Sequence, residues 1–163
     1  MGEPPSSNGI EIDNQTQDQI DEAAVQSLVA HHLAALNIAA DCELSISLVD
    51  EETMTDLHVR WMDEPGPTDV LSFPMDELTI PGPDEGAPSG VLGDIIVCPA
   101  FIRAQAAEKG RTIDEEVRFL ITHGILHLVG LDHSEPDDEE TMFALQDELL
   151  NDWIRSTQEA GTA

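Results

Sequence analysis

The chain predicts an α+β or α/β domain in which a sheet lies under helical cover. Two observations carry this. Segments with the 3.6-residue apolar period stand at both ends, and runs with the strand period of two, or continuously apolar, lie between them. Its 163 residues are the size of one ordinary domain. Residues 1–163 are therefore expected to form a single domain, with 1 to about 9 and 157–163 as loose tails.

Taken in order, "DQIDEAAVQSLVAHHLAAL" spaces Ile20, Ala24, Leu28 and Ala35 along one face, which predicts a helix from about 18 to 37. "ELSISLV" alternates Leu44, Ile46 and Leu48, the mark of a half-buried strand. Asp50 or Glu51 opens a second helix whose apolar side is expected to be Met54, Leu57 and Trp61. "DEPGPT" stops it, and "DVLSFPM" follows as a strand. After the polar loop "DELTIPGPDEGAPSG", "VLGDIIVCP" reads as a buried strand carrying one acid, Asp94. "AFIRAQAAEKG" is a short helix closed by Gly110. "TIDE" is a capping box of Thr112 and Glu115 that starts a helix reaching Gly130. Ser134 and Pro136 begin a last amphipathic helix through about Ile154.

Six Lys and Arg stand against 34 Asp and Glu, a formal net charge of −28. Such a surface keeps a chain soluble and repels phosphate backbones at long range, which by itself argues against a nucleic-acid partner. Four of the six cations, Arg103, Lys109, Arg111 and Arg118, fall in one segment just before a histidine cluster, so any basic face is expected there. No apolar run approaches the roughly 18 residues of a membrane span, and "MGEPPSSNG" lacks the features of a signal peptide. Cys42 and Cys98 form no CxxC pair and read as small core residues of a protein in a reducing cytosol.

"THGILHLVGLDHSE" holds His123, His127 and His133, three of the six histidines. On a helix, residues four apart share a face, so His123 and His127 aim their imidazoles at one spot. Gly130 can take a left-handed backbone that turns the chain back and brings His133 in as a third ligand. Three protein ligands on one zinc ion leave a fourth position for water, the pattern of a catalytic rather than a structural site. Asp132 could hold a ligand's second N–H. His31, His32 and His58 have no such spacing and read as surface or satisfied core residues. The trio has the spacing of the zinc-peptidase signature HExxHxxGxxH, on a zinc-metalloprotease-like helix carrying HxxxH, but Gly124 replaces the glutamate. Glycine cannot carry a proton to a leaving amine, which points away from peptide cleavage and toward phosphoryl chemistry, where a metal can take much of the barrier.

"HGILHLVGLDH" (123–133), "GPTDVLSFP" (66–74) and "LGDIIV" (92–97) together resemble the YbeY family, bacterial zinc-dependent endoribonucleases of rRNA maturation. The likeness covers roughly residues 10–155 in the family's order. It implies an α+β fold with a mixed four-stranded sheet flanked by helices, and one zinc ion per chain on His123, His127 and His133. It also implies single-strand-specific RNA cleavage, maturation of the 16S rRNA 3′ end and ribosome quality control in the cytoplasm, with the small subunit and its assembly proteins as partners. "TDVLSF" and "LGDI" would line the cleft beside the metal, with Asp94 or Asp69 as secondary acid or base and Ser72 against substrate. Many members carry an arginine six residues before the threonine of the TDVLSF-like motif, where this chain has Met62. Arg60 sits two residues away, about 200° around a helix, so Arg103 and Arg118 are the expected substitutes at the phosphate. A noncatalytic zinc-binding assembly factor is the principal rival reading, and a zinc peptidase a weaker one.

Overall fold

The computed structural model describes residues 9–64, 66, 68–131 and 136–161. Along these run β1 (Gly9–Asn14), α1 (Glu22–Ala35), β2 (Glu43–Leu48), α2 (Glu51–Met62), β3 (Val70–Pro74) and β4 (Val91–Val97), followed by α3 (Pro99–Glu108), α4 (Ile113–Leu128) and α5 (Pro136–Gly161). The strands form one sheet in the order β1-β2-β4-β3. β1, β2 and β4 are parallel and the edge strand β3 is antiparallel to β4. This is the mixed four-stranded α+β sheet that the sequence leads one to expect.

Local chemistry sets the helix starts. Asp21 accepts from the backbone N–H of Ala24 at α1, and Asp50 from that of Thr53 at α2. The Thr53 N–H bond holds the Asp50 carboxyl below the usual carboxylate range. The capping box of α4 is complete, Thr112 Oγ1 accepting from Glu115 N–H and the Glu115 carboxylate from Thr112 N–H.

The main core fills one face of the sheet, where Leu44, Ile46, Leu48, Ile95 and Val97 meet Leu28 and Val29 of α1 and Val117, Ile121 and Ile125 of α4. On the opposite face, beside β3 and β4, Met54 joins Val49, Leu71 and Cys98, with Leu57, Phe73 and Ile96 packed around them. Both cysteines are buried and unpaired in disulfides, as small core residues. Gly93 has φ of 142°, and a Cβ there would lie 2.1 Å from the Phe73 carbonyl oxygen. Only glycine lets β3 approach β4 this closely, the physical basis of "LGDI".

The residue pattern marks no element over 10–14, which supply the fourth strand: β1 pairs with β2 throughout its length, and Ile10 and Ile12 are too short an alternation to be read without their partner. Two expectations are corrected. α5 continues past Ile154 to Gly161, its far half held by Leu149 and Trp153 in the core. Trp61, expected on the buried side of α2, is 62% exposed. Met54 and Leu57 anchor that helix, and in its last turn Trp61 meets Phe73 of the edge strand, ring against ring at 6.3 Å.

Most of the basic segment is structural. Glu116 is fully buried and holds Lys109 at 3.2 Å and Arg111 at 2.9 Å, because a buried carboxylate demands partners. Arg103 pairs with Asp18.

His32 is a buried histidine of the core, not a surface residue. The Thr122 hydroxyl donates to the Arg118 carbonyl at 2.8 Å, so it accepts from His32 Nε2–H at 2.9 Å. This leaves the ring neutral, and its pKa is pushed down to about 3 by burial first and by the neighbouring His31 second. The unfolded chain takes up a proton below pH 6.5 and the folded chain does not until about pH 3. The associated stability is complete above pH 6.5 and falls with pH, by about 1.4 kcal/mol per unit. Urea unfolding should therefore show the parent losing about 2 kcal/mol more than His32→Leu between pH 7 and pH 5; equal losses would count against this assignment.

Candidate functional site

α4 delivers the two histidines that the sequence singles out. Its C-terminus is closed as expected: Gly130, at φ 95°, donates to the His127 carbonyl at 3.0 Å and Leu131 to the Leu126 carbonyl at 3.0 Å, a Schellman turn. His127 stands on the last turn and His123 one turn before it. Their Nε2 atoms approach to 3.1 Å. Two nitrogens on one tetrahedral zinc, each at about 2.05 Å, would stand about 3.3 Å apart, so the pair fits the edge of such a site with a small adjustment. His133 and Asp132 lie outside the described residues.

A buried amide sets the tautomer of His123. Gln146 of α5 is fully buried; its Nε2 donates to the Phe119 carbonyl at 3.4 Å, turning Oε1 toward His123 Nδ1 at 3.1 Å. Nδ1 therefore carries the proton and directs the Nε2 lone pair toward His127, as metal-binding imidazoles require. Phe143 stacks on the same ring, centroids 6.0 Å apart and planes at 22°. Neither residue was expected to serve the site. Gln146 left a signal, however, since it interrupts the apolar stripe of Met142, Leu149 and Trp153 at helical spacing.

The histidines open into a cleft of about 410 Å³ whose other lining residues include Met62, Asp69 and Ser72. Three distant motifs thus meet: the end of α2, the start of β3 and the end of α4. Asp69 Oδ1 accepts from Val70 N–H at 2.7 Å, which fixes the carboxylate at the cleft wall. Asp94 does not join them. Its neighbour Ile95 and the Ser72 across from Ile95 touch α4 at Gly124, and successive strand residues point to opposite faces. Asp94 therefore faces away from the histidines, opening on a separate cleft with Ser45 and Glu11. This removes the geometric basis for expecting Asp94 to act as acid or base beside them. Nor do the expected basic residues line the cleft. Arg103 is tied to Asp18, and Arg118 lies over the Trp153 ring at 5.2 Å in another cavity with Arg111 and Asn151. His58 donates from Nδ1–H to the Gly66 carbonyl, 2.9 Å away, and braces the turn before β3.

Gly124 explains its own identity. A Cβ there would stand 3.0 Å from Ser72 Oγ and 3.0 Å from Ile95 Cδ1, both on the sheet that α4 rides. A glutamate in this position would have to enter the sheet rather than the cleft. Ile95 is fully buried and has nowhere to retreat. Alanine gains about 1 kcal/mol of helix propensity but overpacking costs about 1–3 kcal/mol, so Gly124→Ala should lower the melting temperature slightly. Gly124→Glu should yield little folded protein. A folded, equally stable Gly124→Glu chain would show that α4 does not sit this way.

The family model described as Endoribonuclease YbeY matches residues 11–154. A relative from Thermobifida fusca named Endoribonuclease YbeY is 50% identical over 150 residues, 92% of this chain and 97% of the relative. One of the same name from Clavibacter michiganensis is 52% identical over 141 residues, 86% and 92% of the two chains. The solution structure of TM1509 from Thermotoga maritima is similar with a TM-score of 0.62 and 26% identity, covering 93% of each chain. The sheet, the histidine helix and the relatives together place this chain in the YbeY endoribonuclease family.

Proposed function

We propose that the protein is a zinc-dependent, single-strand-specific endoribonuclease of the cytoplasm that matures the 16S rRNA 3′ end and serves ribosome quality control. The observation that carries this reading is the convergence of His123 and His127 Nε2 to 3.1 Å in a cleft shared with Asp69 and Ser72, in a chain whose relatives bear the name of an endoribonuclease. His123, His127 and His133 would hold one zinc ion, which when bound would supply a Lewis acid for a phosphodiester oxygen and for water. The chain's own groups do the rest. Gln146 fixes His123. Asp69, held at the wall by Val70 N–H, would take or return a proton in the cleft. Ser72 presents a hydroxyl to the substrate from the floor. No helix among the described residues is long and apolar enough to cross a membrane.

The excess of acids makes naked RNA a weak ligand, so recognition depends on docking to the small ribosomal subunit or its assembly proteins, which brings the RNA to the cleft. A noncatalytic zinc-binding assembly factor is the second reading, favoured by Met62 at a cleft position where many family members carry arginine. A fluorogenic single-stranded RNA assay separates them: the zinc-loaded parent should cleave, chelator should abolish cleavage, and His127→Ala, with folding checked by circular dichroism, should show none. Undiminished cleavage by His127→Ala would refute the enzyme reading. Removing the orienting amide in Gln146→Leu should weaken zinc binding by roughly 10–100-fold, read by competition with a chromogenic chelator; unchanged affinity would deny Gln146 that role.

A further inference from the structure

The cleft at the histidines contains no Lys or Arg among its described lining residues. Lys109 and Arg111 are committed to Glu116, Arg103 to Asp18 and Arg155 to Asp152. Arg60, exposed on α2, and Arg118 have no ion pair among the described residues, but neither lines the cleft. A phosphodiester entering it therefore needs donors other than side-chain cations, and the wall supplies one from the main chain. That wall is β3 and the residue before it: Asp69, Val70, Leu71, Ser72 and Pro74 all line the cleft. Leu71 packs its side chain with Met54 on the opposite face of the sheet, so what it shows to the cleft is backbone.

β3 is an edge strand whose one neighbour is β4. Cys98 N–H donates to the Asp69 carbonyl and Met75 N–H to the Leu92 carbonyl, each at 3.1 Å. Opposed residues of an antiparallel pair alternate between bonded and non-bonded, and the register runs unbroken from Val70 opposite Val97 to Pro74 opposite Gly93. Asp69, Leu71, Phe73 and Met75 therefore turn their main-chain groups to β4, while Val70, Ser72 and Pro74 turn theirs to the free edge. Val70 N–H is taken by Asp69 Oδ1 at 2.7 Å, and Pro74 has no N–H. Ser72 N–H is thus the one outward donor of β3 that the described residues leave unbonded.

Resting on the ribonuclease reading, we infer that Ser72 N–H, at the free edge of β3, holds a non-bridging oxygen of the phosphodiester in the histidine cleft. An amide that donates to a charged oxygen makes a charge-assisted bond. This amide is fixed by the ladder to β4 before substrate arrives, so little freedom is lost in using it. Main-chain donors position a nucleic-acid strand through its phosphates without reading its sequence. The occupant is a phosphate oxygen rather than an extended peptide, because a peptide added to the edge would bond at every second residue, and Val70 and Pro74 withhold two of the three donors. Ser72 binds the substrate and takes no part in proton transfer.

The test replaces this N–H by an ester oxygen in the full zinc-loaded chain, with lactic acid incorporated at position 72 by nonsense suppression. Ser72→Ala, which lacks the hydroxyl but keeps the N–H, is the reference. The substrate is a fluorogenic 2′-O-methyl oligonucleotide with one cleavable ribonucleotide, its linkage an ordinary phosphodiester or either phosphorothioate diastereomer. The ester chain should cleave the phosphodiester with kcat/KM roughly 10–100-fold below that of Ser72→Ala, at unchanged zinc affinity. Sulfur is a weak acceptor, so the penalty for sulfur in one diastereomer should shrink in the ester chain while that in the other stays the same. Ser72→Pro removes the same donor without breaking a ladder bond; it should fold, by circular dichroism, and fall below Ser72→Ala in the same way. Equal kcat/KM for the ester chain and Ser72→Ala would refute the contact and leave the enzyme reading standing. A loss with both sulfur penalties unchanged would be a structural effect of the ester and would refute it equally. If the parent never cleaves, yet Ser72→Ala binds an all-2′-O-methyl strand at least roughly tenfold more tightly than the ester chain does, the enzyme reading fails and the phosphate contact stands.

Discussion

The seating of α4 directly on the β3–β4 pair, with Gly124 against Ser72 and Ile95, is the constraint on which the rest of the site depends. A helix carrying ordinary side chains on that face would ride higher above the sheet. With glycine there, the histidines one residue before and three residues after it lie beside the edge strand, close enough to share a cleft with Asp69 and Ser72. Gly93 does the corresponding service within the sheet, letting β3 close upon β4 where a side chain would strike the Phe73 carbonyl. Two glycines thus set the distance between the helix that bears the imidazoles and the strand that bears the hydroxyl and the carboxylate.

The same close seating changes what the HxxxH spacing means. In a zinc peptidase the residue after the first histidine projects into the active cleft as a glutamate. In this chain that position is turned to the sheet, and the space a carboxylate would need is occupied by Ile95 and Ser72. Among the described residues, the carboxylate that does reach the cleft is Asp69, from a different part of the chain. The imidazole orientation depends on α5, through the Gln146 amide, so the last helix matters to the site although it contributes no described ligand candidate.

Charge is distributed by structural need as much as by function. A buried Glu116 draws in Lys109 and Arg111, and these account for half of the basic segment that the sequence places ahead of the histidines. A local excess of Lys and Arg along a chain is therefore a poor guide to a basic face when a buried acid lies within reach. The cleft is left without Lys or Arg among its described lining residues.

Much was legible from residues alone, because it rests on interactions within a few positions. The capping box of Thr112 and Glu115, the Schellman turn at Gly130 and the shared face of His123 and His127 all follow from local backbone geometry. The alternation in β2 and the apolar run of β4 follow equally from period. What tertiary structure alone decided concerns faces and partners. Strand periodicity shows that Asp94 and Ile95 point apart, but only the position of α4 decides which of them meets the histidines. β1 needs β2 beside it to exist as a strand, Gln146 becomes meaningful only when α5 packs on α4, and Trp61 is exposed because its helix ends over a sheet edge. Local rules operate through bonds a few residues long, whereas the side of a sheet on which a helix lands is set by long-range packing that no short stretch of sequence contains.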